Sequence, residues 1–152
     1  MGIFDRFKKA IEKEYEFKPQ NENEAWIGLL YACVMADGEI VKVEENALSL
    51  MLITKRKFED VDIPKHYRHV AEAQHKIGGS GLIDACAPLI KEADKPTIFS
   101  MSVELVLADG ILDEDEEKII EYIAEKLEIE DALVERIVEV MLIRNRGNHA
   151  FF

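Results

Sequence analysis

The chain has 152 residues, 48% of them hydrophobic and 33% charged: a length for one domain and a composition that excludes intrinsic disorder. Its 31 acids against 19 bases leave a net charge of −12, which repels phosphate backbones and excludes nucleic acid as a partner. No apolar run reaches the ~20 residues of a transmembrane segment, and the start lacks a signal peptide's apolar core, so the expected compartment is the cytoplasm.

Residues 3–15 are predicted to form an amphipathic helix. Ile3, Phe4, Phe7, Ala10, Ile11 and Tyr15 recur at helical spacing, with Arg6, Lys8, Lys9 and Lys13 between them. A basic amphipathic helix either docks on its own domain or makes peripheral contact with a membrane or another protein. Pro19 and the polar Gln20-Asn21-Glu22-Asn23 then break the chain, so the expected organisation is an arm over 1–18 and one helical domain over 19–152.

Residues 24–36 are apolar nearly all round, the pattern of a helix at the centre of a bundle. Residues 97–108 are their counterpart, opened by Pro96, which suits a helix's first turn. Glu104 alone puts a charge in that run, and it is expected to face solvent. Each apolar run leads into an acidic turn, Ala36-Asp37-Gly38 in the first case and Ala108-Asp109-Gly110 in the second, and then into an amphipathic helix. Over residues 34–45 and 106–117, six of twelve positions are identical. The glycine allows the tight backbone of a sharp turn. Asp113 and Glu116, three residues apart, are predicted to form a capping box; Val41 stands at the equivalent of Asp113, so the first helix start is less well capped.

Between the repeats, residues 64–76 read as a helix, Gly78-Gly79-Ser80-Gly81 as a loop, and 82–93 as a helix interrupted near Pro88. The Gly-rich stretch lacks the Lys-Ser/Thr of a phosphate loop. Leu133, Val134, Ile137, Val138, Met141 and Leu142 mark a last helix, and Phe151 and Phe152 end the chain as candidates to dock. No strand is expected. The fold class is therefore all-α, a single-domain bundle of seven to eight helices with an internal pseudo-twofold helix–acidic turn–helix repeat.

Cys33 and Cys86 lie in apolar helical runs, too far apart for a zinc or redox pair, and are expected to be small buried side chains. His66 and His69 lie three apart with His75 beyond, but nothing completes a transition-metal set, and helix-surface histidines are the expectation. No Ser–His or Cys–His pairing is present, so the chain is read as no enzyme.

The acidic turns carry the chemistry. Residues 36–45 and 108–117 hold ten acids and one base, Lys42, and so nine of the excess negative charges. Hard divalent cations need several oxygen ligands. Each repeat offers an Asp at the turn, Asp37 or Asp109, and a Glu seven residues on, Glu44 or Glu116; Asp113 adds an oxygen in the second and Glu39 is placed to add one in the first. The alternating ligands of an EF-hand are absent. Three or fewer carboxylates per loop give affinities on the order of 10⁻⁴–10⁻³ M if each loop acts alone. The alternative is that these acids cap helices and face solvent.

With its two Ala-Asp-Gly turns and its opening Met-Gly-Ile-Phe-Asp-Arg-Phe-Lys-Lys-Ala, the chain resembles the tellurite-resistance TerB family. It is also similar to the amino-terminal domain of membrane-anchored J-domain co-chaperones. The resemblance implies an all-helical domain and a divalent-cation site built from both turns, carried by position onto Asp37, Glu39 and Glu44 with Asp109, Asp113 and Glu116. Val41 departs from the polar residue usual at its place. The cation would be Ca²⁺ or Mg²⁺ first, then Zn²⁺ or Mn²⁺. The resemblance further implies a non-enzymatic stress-response role, exerted through protein partners in a membrane-associated complex at the inner face of the membrane. The competing function is an acidic scaffold that docks a basic partner with no physiological metal.

Overall fold

A computed structural model describes residues 2–7, 16–40, 42–108, 110 and 112–148. Six long helices carry the fold: α1 (Glu22–Val34), α2 (Lys42–Ile53), α3 (Ile63–Cys86), α4 (Lys95–Val106), α5 (Glu114–Lys126) and α6 (Asp131–Arg144). Short 3₁₀ turns fill Arg56–Phe58, Ala87–Leu89 and Glu92–Asp94, residues 3–7 are helical as well, and the described residues contain no strand. This is the all-α, single-domain bundle that the hydrophobic periodicity predicts.

The centre of the bundle is α1. Its first free N–H groups are met by Asn21, whose side chain accepts from Glu24 N at 2.9 Å. From Glu24 to Val34 every residue is buried, because α3 and α4 both pack against it. Full burial of side chains such as Ile27, Leu30, Ile98 and Phe99 contributes about 1.5–3 kcal/mol apiece. Gly28 sets how closely α1 and α3 approach, since a Cβ there would meet Cys86 Sγ at 2.5 Å. Both cysteines are free and buried, as expected.

Two expectations between the repeats need correction. The four-residue glycine loop is a break of one residue: only Gly78 leaves the helical conformation (φ 73°, ψ 177°), and α3 resumes directly after it. That positive φ is open to glycine, so the chain re-aims without spending a loop. The helix expected over 82–93 ends at Cys86, and two 3₁₀ turns replace its second half. Pro88 has no N–H to continue the ladder. Glu104 reaches the surface, where it pairs with Arg144 Nε at 3.2 Å.

Of the predicted amino-terminal helix, residues 3–7 are helical with Ile3, Phe4 and Phe7 exposed. Its continuation, residues 8–15, lies outside the described residues, as do Val41, Asp109, Phe151 and Phe152. Among the described residues no helix is long and apolar enough to cross a membrane.

Candidate functional site

The two acidic turns are built alike. At the end of α1, Met35 N–H bonds Tyr31 O, Ala36 N–H bonds Cys33 O and Gly38 N–H bonds Met35 O, at 3.1, 3.3 and 2.9 Å. At the end of α4, Leu107, Ala108 and Gly110 make the equivalent bonds to Val103, Leu105 and Leu107, at 3.1, 3.2 and 3.0 Å. Gly38 and Gly110 adopt φ of 84° and 79°, a region that L side chains enter only at a cost. Each turn therefore delivers the following helix, α2 or α5, with its first-turn glutamate facing inward.

Those glutamates meet. Glu44 and Glu116 are each only 4% exposed, and their side chains contact one another, which puts both acidic segments at one end of the bundle. The Glu116 end is held firmly. Asp113 Oδ1 accepts from Glu116 N at 2.8 Å and Glu116 Oε1 accepts from Asp113 N at 3.2 Å, the capping box predicted for this helix start. The other oxygen, Glu116 Oε2, is buried and has no hydrogen-bond partner. Two carboxylates in contact repel; the contact becomes a hydrogen bond only when one of them holds a proton. Burial first, then Glu44 and the charge of Asp113, push the Glu116 carboxyl from an ordinary 4.5 up to about 9, against the Asp113 N–H, which pulls it down.

Behind the pair lies the Cys33 thiol, pushed up to about 12 by burial and by the two glutamates, although a hydrogen bond with Ser102 opposes the shift. It is no nucleophile at neutral pH. The other predicted ligands stand further out. Asp37 and Glu39 are exposed, and Asp37 Oδ1 accepts from Glu39 N at 3.0 Å in a local turn. Asp109 lies outside the described residues. Among the described residues, no three His, Cys, Asp or Glu side chains gather closely enough to hold a metal ion.

The family comparison bears on this geometry. A family model described as Tellurite resistance protein TerB matches residues 23–139, more than half of the chain. The chain belongs to the TerB family. The matched region begins at the head of α1 and ends within α6, so it holds both acidic turns and leaves the amino-terminal arm outside. No curated protein and no solved structure matches the chain.

The TerB domain holds a third buried carboxylate, which sequence reasoning missed. Glu24 is completely buried, with Oε2 2.5 Å from His66 Nδ1 and Oε1 2.5 Å from His69 Nδ1. Gln20 N–H also donates to Oε1 at 3.2 Å, and the Phe17 ring packs edge-on against His69, 5.0 Å between centroids. His66 and His69 are thus not idle surface histidines. Their spacing of three puts both on the face of α3 that covers the head of α1. No local signal marks this trio, because Glu24 reads as an ordinary helix-start acid and its partners lie more than forty residues away in the sequence.

Proposed function

We infer that Glu44 and Glu116 are the centre of a divalent-cation site shared between the two turns, with Asp37 and Glu39 contributing from the first turn and Asp109 and Asp113 from the second. The observation that carries this reading is the contact between two buried carboxyls, with Glu116 Oε2 lacking any donor. A cation supplies what the protein does not: positive charge between the two oxygens. The donors are all oxygens, which suits Ca²⁺ or Mg²⁺ better than Zn²⁺ or Mn²⁺. On this reading the two helix–turn–helix units form a pseudo-twofold pair around one ion. The protein acts as a non-enzymatic, tellurite-resistance-like stress-response module, and its acidic end and amino-terminal arm address protein or membrane partners in the cytoplasm.

Calorimetric titration with Ca²⁺, Mg²⁺, Zn²⁺ and Mn²⁺ tests it, run on the wild type and on Glu116→Gln. At least one ion should bind more tightly than about 1 mM, and Glu116→Gln should weaken that ion by at least roughly tenfold. Binding no tighter than millimolar in the wild type favours the second reading, an acidic scaffold for a basic partner. The exposure of Asp37, Glu39, Glu114, Asp115 and Glu117 gives that reading its own footing.

A further inference from the structure

We propose that the groove between α4, α5 and α6 receives the amino-terminal segment of a second copy of this chain. The groove has a volume of about 210 Å³, room for one or two large side chains. Val106, Ile120 and Val138 line its floor, and the half-exposed Leu112 and Leu142 stand at its mouth. Among the described residues its only polar lining is Glu117 and Glu121, one helical turn apart on α5. An apolar slot edged by two carboxylates fits an amphipathic helix that carries bases beside its apolar face.

The amino-terminal segment has the sequence of such a helix, and residues 3–7 are helical. Ile3, Phe4 and Phe7, at 79%, 75% and 65%, are among the chain's most exposed large hydrophobic residues, and they share one face of the helical stretch 3–7. In the sequence, Arg6, Lys8, Lys9 and Lys13 alternate with the apolar residues of this segment. In the molecule this face stands open to solvent rather than in its own groove. The segment leads into Phe17, which is fixed against His69 of α3, a helix that takes no part in the groove. A second copy supplies both parts again, so each groove takes the other's segment and the assembly closes as a twofold dimer.

Local charge complementarity at the groove selects this occupant. Residues 1–15 hold four bases and three acids, so the remaining 137 residues carry −13. Repulsion by that acidic body opposes either occupant, so the local match is what counts: Glu117 and Glu121 edge an apolar slot, and the bases of residues 6–13 flank the apolar residues that would enter it.

Sedimentation velocity over a concentration series tests the proposal on the full chain. The wild type should dimerise with a Kd in the range of roughly 1–100 μM, weak enough to dissociate on dilution. Phe4→Glu/Phe7→Glu, at two exposed positions, should be monomeric with an unchanged melting temperature. Glu117→Lys/Glu121→Lys and Lys8→Glu/Lys9→Glu should each weaken self-association at least roughly tenfold, yet a mixture of the two should form a heterodimer, because every groove then faces an arm of opposite charge. A wild type that stays monomeric, Phe4→Glu/Phe7→Glu dimers as tight as the wild type, or charge-reversed proteins that fail to pair would overturn it. So would arm-dependent binding to phosphatidylcholine–phosphatidylserine vesicles without self-association.

Discussion

Glu44 and Glu116, 72 residues apart in sequence, touch at the buried end of the bundle, and Glu116 holds its proton well above the ordinary carboxyl range. A cation and a proton therefore compete for one place. Glu116 is raised from 4.5 in the unfolded chain to about 9 in the folded one, so between those values the folded state binds the extra proton. Without cation, this group's contribution to stability is complete below about pH 4.5 and falls as pH rises towards 9. Cation affinity should move the other way, rising by up to about tenfold per pH unit across the same window, with about one proton released per ion bound near pH 7. Titrations in buffers of different ionisation enthalpy measure that proton directly. An affinity that does not change with pH removes Glu116 from the ligand set.

The same competition gives Glu116→Gln an unusual profile. The amide keeps an oxygen for the Asp113 N–H and adds an N–H₂ that Glu44 can accept. It thus imitates the protonated acid without needing the proton. Relieving a buried unpaired oxygen is worth about 1–3 kcal/mol, which corresponds to a rise in Tm of roughly 2–10 °C for a chain of this size. At neutral pH without cation, the variant should melt above the wild type and show a flatter pH dependence; with cation, the wild type should gain and the variant should not. A variant that melts below the wild type under cation-free conditions would mean that the acid, not its neutral form, is what the fold requires.

The features of the fold and the site differ in how visible they are in the sequence. The bundle and both acidic turns are legible because they depend on local chemistry: an apolar run, Asp-Gly, and Asp113 three residues ahead of Glu116. Gly38 and Gly110 announce their own backbone. The contact between Glu44 and Glu116 is different. The repeat suggests it, but only the packing of α1 against α4 brings the two first turns together. Glu24 was hidden for the opposite reason. Nothing local separates it from a solvated helix-start acid such as Glu22, and its partners, His66 and His69, lie more than forty residues away. The Gly78-Gly79-Ser80-Gly81 stretch looks like a loop in the sequence, yet glycine permits a break without demanding one; packing of α3 along α1 holds the last three in the helix.

The two halves should not contribute equally to cation binding. Asp113 fixes both the start of α5 and the Glu116 carboxyl, while the first turn has exposed Asp37 and Glu39 and the base Lys42 close by. Losing a ligand costs most where its neighbours are already held in place. Asp109→Asn and Glu116→Gln are therefore expected to lower cation affinity more than Asp37→Asn and Glu44→Gln, by roughly tenfold, or about 1.4 kcal/mol. Titration calorimetry on the four variants measures the difference. Equal losses in both halves would point to an ion held symmetrically.

The trio of Glu24, His66 and His69 should matter for stability and leave cation binding alone. Glu24 is wholly buried, its two oxygens face two imidazoles at 2.5 Å, and it lies at the opposite end of α1 from the acidic turns. Glu24→Ala removes the acceptor for both rings and for Gln20 N–H, and loosens the seat of Phe17 on His69. Breaking a buried, charge-assisted arrangement from one side costs about 3–5 kcal/mol, a large share of the 5–15 kcal/mol that holds a typical domain. Glu24→Gln, which keeps one acceptor oxygen, should lose less and remain foldable where alanine does not. Pairing it with His66→Ala in a double-mutant cycle should give a coupling of about 0.5–3 kcal/mol, read from urea unfolding. Cation titration of Glu24→Gln should match the wild type. A coupling near zero would mean that the rings and the carboxylate are satisfied separately, by solvent and by backbone, and that apolar packing alone holds α3 on the head of α1.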